Sequence, residues 1–439
     1  MDRLLANRWF SPLFLLFMSL VTLGVYSNSF DAAFQYDDLP LIRDNYLIRD
    51  LGNLGQMLEH TRALTLVTFA LNYAAGGLDV TGYHAVNLAI HIINAALAYL
   101  LLIATFNLLK VEETASRRVS ALAALLFAVH PIQTQAVTYI VQRMESMASM
   151  FYLIAILLFI AASKASSVVK RGALYIGVAL SYVLAFYSKE ITYTLPVAIL
   201  LYDYFFIAKG EIRGVLKKWP AYALLAVFFG YFTYATVVPL GGFNDLSDET
   251  AAVESGEKRY AAPIIKGELA PAGPAEFDYT AGMRISQVSP KEYLYTQFNV
   301  MVYYLGLLLV PANQNLDYDF PWARDLFKAP DAAPGTVLNM PMLPPIVSLL
   351  VLLAIIGAAV YLFARTRKEP HSKARAASYF IIWFFLVLSP TSSFVPIVDA
   401  IYEHRVYLAS LGYFTVFVMA VDAIISLIIS GKRSQKPAN

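Results

Sequence analysis

Two carboxylates stand side by side in "FQYDDLPLI", residues 34–42, directly after a long apolar run. Like charges this close push their pKa values apart, so one of Asp37 and Asp38 can act as a general base while the other contacts an acceptor or a divalent metal. The pair also suits a helix cap or solvated loop, or the cation site of a transporter. A second concentration lies in "DAIYEHRVYLAS", where Glu403, His404 and Arg405 follow one another just ahead of another apolar run. Arginine offers a planar fork that matches phosphate oxygens. With Arg62, Arg143 and Lys189 it forms a set of cations for which phosphate binding is the expected chemistry. His84, His130, Glu145 and Glu190 are further polar groups bordering apolar stretches, where an ionisable side chain costs on the order of 2.5–3.5 kcal/mol if it enters hydrocarbon.

The elements that must position these groups are membrane helices. The chain has 439 residues, 58% hydrophobic and 15% charged, a balance that places it among polytopic membrane proteins. It has no cysteine, so disulfides and thiolate metal sites are excluded, and there is no basic tract of the kind that binds nucleic acid. Runs able to cross, or nearly cross, a ~30 Å hydrocarbon layer fall at 10–29, 84–107, 119–138, 147–163, 172–188, 191–208, 219–239, 346–364, 377–391 and 406–430. Ten crossings are expected. The first reads as a retained signal-anchor helix, because no small-residue cleavage site follows it.

Orientation follows from the basic residues. "MDRLLANR", "KVEETASRR", "KASSVVKR", "KGEIRGVLKK", "RTRKEPHSKAR" and "GKRSQK" hold 20 of the 33 Lys and Arg and alternate with the expected spans. Placing these six stretches in the cytoplasm puts Asp37 and Asp38 outside it. The run at 293–310 would invert everything downstream if it crossed, so an interfacial or half-inserted outer helix is expected there. Residues 30–62 form the first outer loop and 240–345 the largest, which opens on "GGFNDLSDETAAVESGEKRYAAP", a piece expected to be mobile or ordered by a ligand. The chain reads as one membrane-embedded domain, 1–439, without an internal repeat.

Plainer roles are expected for several polar residues. His84, Asn87, His91 and Asn94 fall on one helical stripe, the pattern of a hydrogen-bonding seam between helices, with only His84 near a site. Asp203 belongs to the cytoplasmic end of its helix and reads as structural.

"FQYDDLPLIRDN", "RALTLVTFALNYAAGGLDVTGYHAVNLAIHIIN", "LFAVHPIQTQAVTYIVQRMES", "SKEITYTLPVAILLYDYFF", "FNVMVYYLGLLLVPANQNLDYDFPW" and "LSPTSSFVPIVDAIYEHRVYLASLGYF" together resemble the membrane region of the transmembrane-and-tetratricopeptide-repeat O-mannosyltransferases and their bacterial relatives. The segments occur in the family's order across nearly the whole chain. The resemblance implies an all-α, GT-C-like bundle that takes a sugar from a polyprenyl-phosphate carrier and passes it to a secreted protein or glycan on the extracytoplasmic side, in a bacterial inner membrane facing the periplasm. It makes Asp37 or Asp38 the catalytic acid of the first outer loop and Arg405 a contact for the carrier phosphate. His84, His130, Glu145, Glu190, Glu403 and His404, with Tyr318 and Asp319 of "LDYDFPW", are then expected around the sugar and acceptor. Two features depart from the family. The repeats and the span leading to them are expected to be missing after "GKRSQKPAN", and Gln133 stands where relatives often carry His. A divalent metal at the acid pair would be compatible with this chemistry, though no spacing demands one. A transporter or flippase of lipid-linked sugars would instead keep charges near the midplane, commonly in repeated halves.

Overall fold

The computed structural model describes residues 2–237, 288–332, 340–397 and 399–434. The piece at 241–263 lies outside these residues. Among them the chain is built of helices, with no strand. We number the principal ones α1 (Phe10–Val25), α2 (Ala63–Gly76), α3 (Val80–Leu108), α4 (Glu113–Val129), α5 (Arg143–Lys164) and α6 (Val168–Phe186). There follow α7 (Leu195–Tyr202), α8 (Trp219–Val237), α9 (Pro290–Leu309), α10 (Pro345–Arg365), α11 (Lys373–Leu388) and α12 (Tyr407–Ser434).

The runs expected to cross are helical over most of their described residues, but fewer meet the requirements of a full crossing. Among the described residues seven helical stretches are long and apolar enough, or up to eight if one bent pair counts as a span. That pair is Glu113–Val129 with Pro131–Thr138, bent by 51°. The cause is local. Pro131 has no amide hydrogen to continue the ladder, His130 is extended, and its ring Nδ1 accepts the Ile132 amide hydrogen at 3.2 Å. At 377–391 the helix α11 has 16 residues, short of a straight crossing.

Helix starts are marked by side chains. Asp79 opens α3, Glu112 opens α4, Ser167 opens α6 and Ser372 opens α11, each accepting a backbone amide hydrogen of the first turn. Ser289 and Glu292 form a reciprocal capping box at α9. Long apolar faces stay exposed, for example Leu13, Leu16 and Leu20 on α1 and Leu350, Leu353 and Val360 on α10, as lipid-facing helices require.

The two ends of the bundle differ in chemistry. At one end basic side chains tie helices together: Arg118 and Lys373 meet Asp422 at 2.8 and 3.7 Å, and Lys218 meets the buried Asp203 at 2.9 Å. Asp203 therefore has the structural role expected of it. At the opposite end the polar residues cluster. Helix α9 lies across that end: Tyr293 donates to the Thr391 carbonyl at 2.8 Å, Tyr304 to the Tyr402 carbonyl at 2.7 Å, and the Leu308 backbone reaches the His130 ring. Its side chains and its last turn thus touch turns at one end of the bundle.

Candidate active site

Asp37 and Asp38 follow a backbone twist that few side chains tolerate. Tyr36 adopts φ 39°, in the left-handed region, while its ring is 57% exposed. The two acids consequently point into different surroundings. Asp38 is 1% exposed, and its oxygens accept the amide hydrogens of Val141 at 2.7 Å and Gln35 at 3.1 Å. Burial pushes its carboxyl up to about 7 against the pull of those amides, with the charge of Asp37 adding to the rise. Asp37 is exposed; its amide donates to the Tyr139 hydroxyl at 2.9 Å.

The Asp399–Arg405 turn gathers a second set. Arg405 donates to the carbonyls of Asp399 and Ala400 at 2.9 and 3.3 Å and stands 5.3 Å from the centre of the Tyr402 ring. Tyr402 is hydrogen-bonded to Asp399 and stacks on His404 at 5.1 Å. Burial pushes the Asp399 carboxyl above its ordinary value; Arg405 opposes this, while Asp317 and Asp37 reinforce it. Asp37 thus lies within electrostatic range of both Asp399 and Tyr402, the turn that holds Arg405.

Cations form another group. Lys189 Nζ is 2.8 Å from Glu145 and donates to Gln142 at 3.2 Å. The next residue, Glu190, accepts from Arg62 through both oxygens at 3.0–3.2 Å. Burial pushes the Lys189 ammonium below its ordinary value, with Glu145 pulling the other way. Lys189, Arg405 and Arg62 all act electrostatically on His404, and the same three act on Glu145. Three of the four expected phosphate contacts therefore come together.

Arg143 does not join them. It is fully buried, donates to Asn87 at 2.7 Å, to Tyr83 at 3.1 Å and to Thr68 at 3.3 Å, and lies over the Phe69 ring at 4.6 Å. Its fork is occupied by the helix seam, so it holds α3 against α5 rather than facing a ligand. His84 also turns inward, with Nε2 2.9 Å from the Ala32 carbonyl. The remaining stripe forms the expected seam: Asn87 donates to Ile140, His91 meets Tyr407 and the Ala128 carbonyl, and Asn94 donates to Ser146. His130 caps the bend in place of entering the cluster, and Gln133 donates to Ser410 at 2.9 Å.

Glu403 anchors a strap. It accepts from Gln314 at 2.6 Å, from the Asn315 amide at 3.1 Å and from the Tyr318 hydroxyl. Tyr318 is thus drawn in, whereas Asp319 is exposed; the strap's carboxylate nearest Tyr402 and Asp399 is Asp317. Asp317, Asp399, Tyr402, Tyr139 and Gln135 are the site residues that sequence reasoning missed. Asp399 and Tyr402 sit inside the conspicuous "DAIYEHR", but Asp317 carries no signal that separates it from Asp319. Among the described residues no group of three or more His, Cys, Asp and Glu could hold a metal ion.

One end of the bundle thus carries an exposed acid beside the Asp399–Arg405 turn, and three cations that share His404 and Glu145 as electrostatic neighbours. The chain is similar to protein O-mannosyl-transferases. It is 30% identical over 174 residues to protein O-mannosyl-transferase TMTC4 of Homo sapiens, 35% of this chain and 23% of the relative. It is 33% identical over 152 residues to protein O-mannosyl-transferase TMTC3 of Mus musculus, 31% of this chain and 16% of the relative. With protein O-mannosyl-transferase TMTC2 of Homo sapiens the identity is 30% over 217 residues, 45% and 25% of the two chains. The chain therefore matches a quarter or less of the length of these O-mannosyl-transferases. No family model matches, and no solved structure matches.

Proposed function

We propose that this protein is a membrane glycosyltransferase that moves a sugar, with mannose the first candidate, from a polyprenyl-phosphate carrier to a hydroxyl of a secreted protein. The observation that carries this reading is the approach of Asp37 to the Asp399–Arg405 turn, whose Arg405 acts together with Arg62 and Lys189 on His404. The relatives, named as protein O-mannosyl-transferases, support the reaction class and the kind of acceptor. The basic stretches favour a site on the extracytoplasmic side.

Asp37 is the base in this reading because its side chain is exposed, while Asp38 is engaged by two backbone amides. Asp37 takes the proton of the acceptor hydroxyl as that oxygen attacks the anomeric carbon. The bond from that carbon to the phosphate oxygen breaks, the electron pair leaves with the polyprenyl phosphate, and the anomeric configuration inverts. The phosphate gains negative charge as it leaves, and Arg405, Lys189 and Arg62 are fixed in advance to meet it. The isoprenoid tail belongs in lipid beside the exposed apolar helix faces. Arg143 acts by holding the α3–α5 seam.

The test gives purified protein in lipid a panel of labelled polyprenyl-phosphate sugars together with Ser- and Thr-containing peptides. Label is expected to move from one donor to a peptide hydroxyl. No transfer from any donor, by protein that is folded and inserted, would overturn the reading.

A further inference from the structure

Gln135 sits on the short helix Thr134–Thr138, beyond the bend at Pro131, and is buried. Two main-chain groups dictate the orientation of its amide. The His404 N–H, which can only donate, is 2.7 Å from Oε1; the Leu316 carbonyl, which can only accept, is 2.7 Å from Nε2. Reversing the amide would set donor against donor and acceptor against acceptor. The same Oε1 is 3.0 Å from Nδ1 of His404. An amide oxygen only accepts, so Nδ1 carries the hydrogen.

We propose that Gln135 holds His404 as the Nδ1–H tautomer, so that its bare Nε2 accepts a hydrogen bond from a hydroxyl of the sugar donor or of the acceptor. The ligand in this proposal rests on the glycosyl-transfer reading; the tautomer does not. Several neighbouring acceptors already have partners. Lys189, Arg405 and Arg62 act electrostatically on the ring and have no acceptor atoms. Glu145 faces Lys189, Glu190 is forked by Arg62, and Glu403 is filled by Gln314, Asn315 and Tyr318. Asp37 must face the attacking hydroxyl. Alongside Asp317 and Asp399, the imidazole lone pair is then an acceptor open to a second hydroxyl entering this region. Tyr402 stacks on one face of the ring. Gln135 is thus a positioning residue, and it also joins the ring to the strap through Leu316.

The experiment is solid-state nitrogen NMR on histidine-labelled protein in lipid, with the His404 signals among the six histidines identified by His404→Asn. The expected pattern is a protonated Nδ1 and an unprotonated Nε2. The Nε2 signal should shift on adding short-chain polyprenyl-phosphate mannose or a Ser/Thr peptide, and the ligand that shifts it identifies the source of the hydroxyl. Gln135→Glu keeps an acceptor for Nδ1 but loses the donor to Leu316, so the tautomer should persist. Gln135→Met loses both; the tautomers should mix, and kcat/KM should fall about tenfold, the worth of one hydrogen bond. An Nε2–H ring in the unmodified protein, or an Nε2 signal unmoved by either ligand under conditions where transfer occurs, would overturn the proposal. Absence of transfer would sink the glycosyl-transfer reading, and the ligand-free nitrogen pattern would still decide the tautomer.

Discussion

The Asp38 carboxylate accepts the Val141 amide hydrogen at 2.7 Å, tying the first loop to the turn that leads into α5. Neighbouring Asp37 shares none of this burial. A pair of identical residues is thereby divided into one that fixes the loop and one that is free to meet a substrate.

Asp37→Asn should lower transfer by about 10²–10⁴-fold, the range for loss of a general base, with little change in unfolding temperature. Asp38→Asn should do the reverse in emphasis, costing about 1–3 kcal/mol of stability because an amide cannot accept from both Val141 and Gln35 without turning a donor toward one of them. Initial rates and thermal unfolding of the two variants, measured on the same preparations, separate these roles. Full activity in Asp37→Asn would remove it as the base.

The buried Asp38 also sets a pH dependence. Its carboxyl rises from the ordinary value to about 7 in the folded protein through burial, so the native state binds more protons than the unfolded chain between about 4 and 7. Its contribution to stability is therefore complete below about 4 and declines as pH rises through 7. Unfolding midpoints taken between pH 4 and 8 should fall with pH in the parent protein and vary less in Asp38→Asn. An equal slope in both would assign the dependence elsewhere.

Arg405 and Arg143 should separate function from structure. Arg405→Met should fold and insert but lose donor binding, seen as a raised KM for the polyprenyl-phosphate sugar. Arg143→Met leaves Asn87 Oδ1 and the Tyr83 carbonyl without their buried donor and should cost about 3 kcal/mol or more. Yield of folded protein and donor titration distinguish the two. Normal stability in Arg143→Met would contradict its placement in the seam.

The close contact of α11 with α12 offers a packing test. A Cβ on Gly412 would collide with the Phe380 carbonyl oxygen and lie 3.0 Å from Trp383. Gly412→Ala should therefore separate the helices and destabilise the protein by about 1–3 kcal/mol. Replacing Gly357, where nothing lies within 4 Å of the added atom, is the control and should leave the unfolding temperature close to that of the parent.

Hydrophobic run length carried the all-helical, membrane-spanning character, because the cost of placing charge or unpaired backbone in hydrocarbon acts on each segment separately. The same local rule marked the polar residues at helix ends and the His91–Asn94 seam. It could not say which of them face one another. Arg143 and Arg405 look equivalent in the chain, yet one is closed off by Asn87, Tyr83 and Thr68 and the other lies beside Asp399 and Tyr402. Asp317 was chosen over Asp319, and Gln135 was joined to His404, by contacts 82 to 269 positions apart in the chain. Such choices belong to tertiary structure alone, since a side chain's hydrogen-bond partners are set by which turns the packed helices bring together.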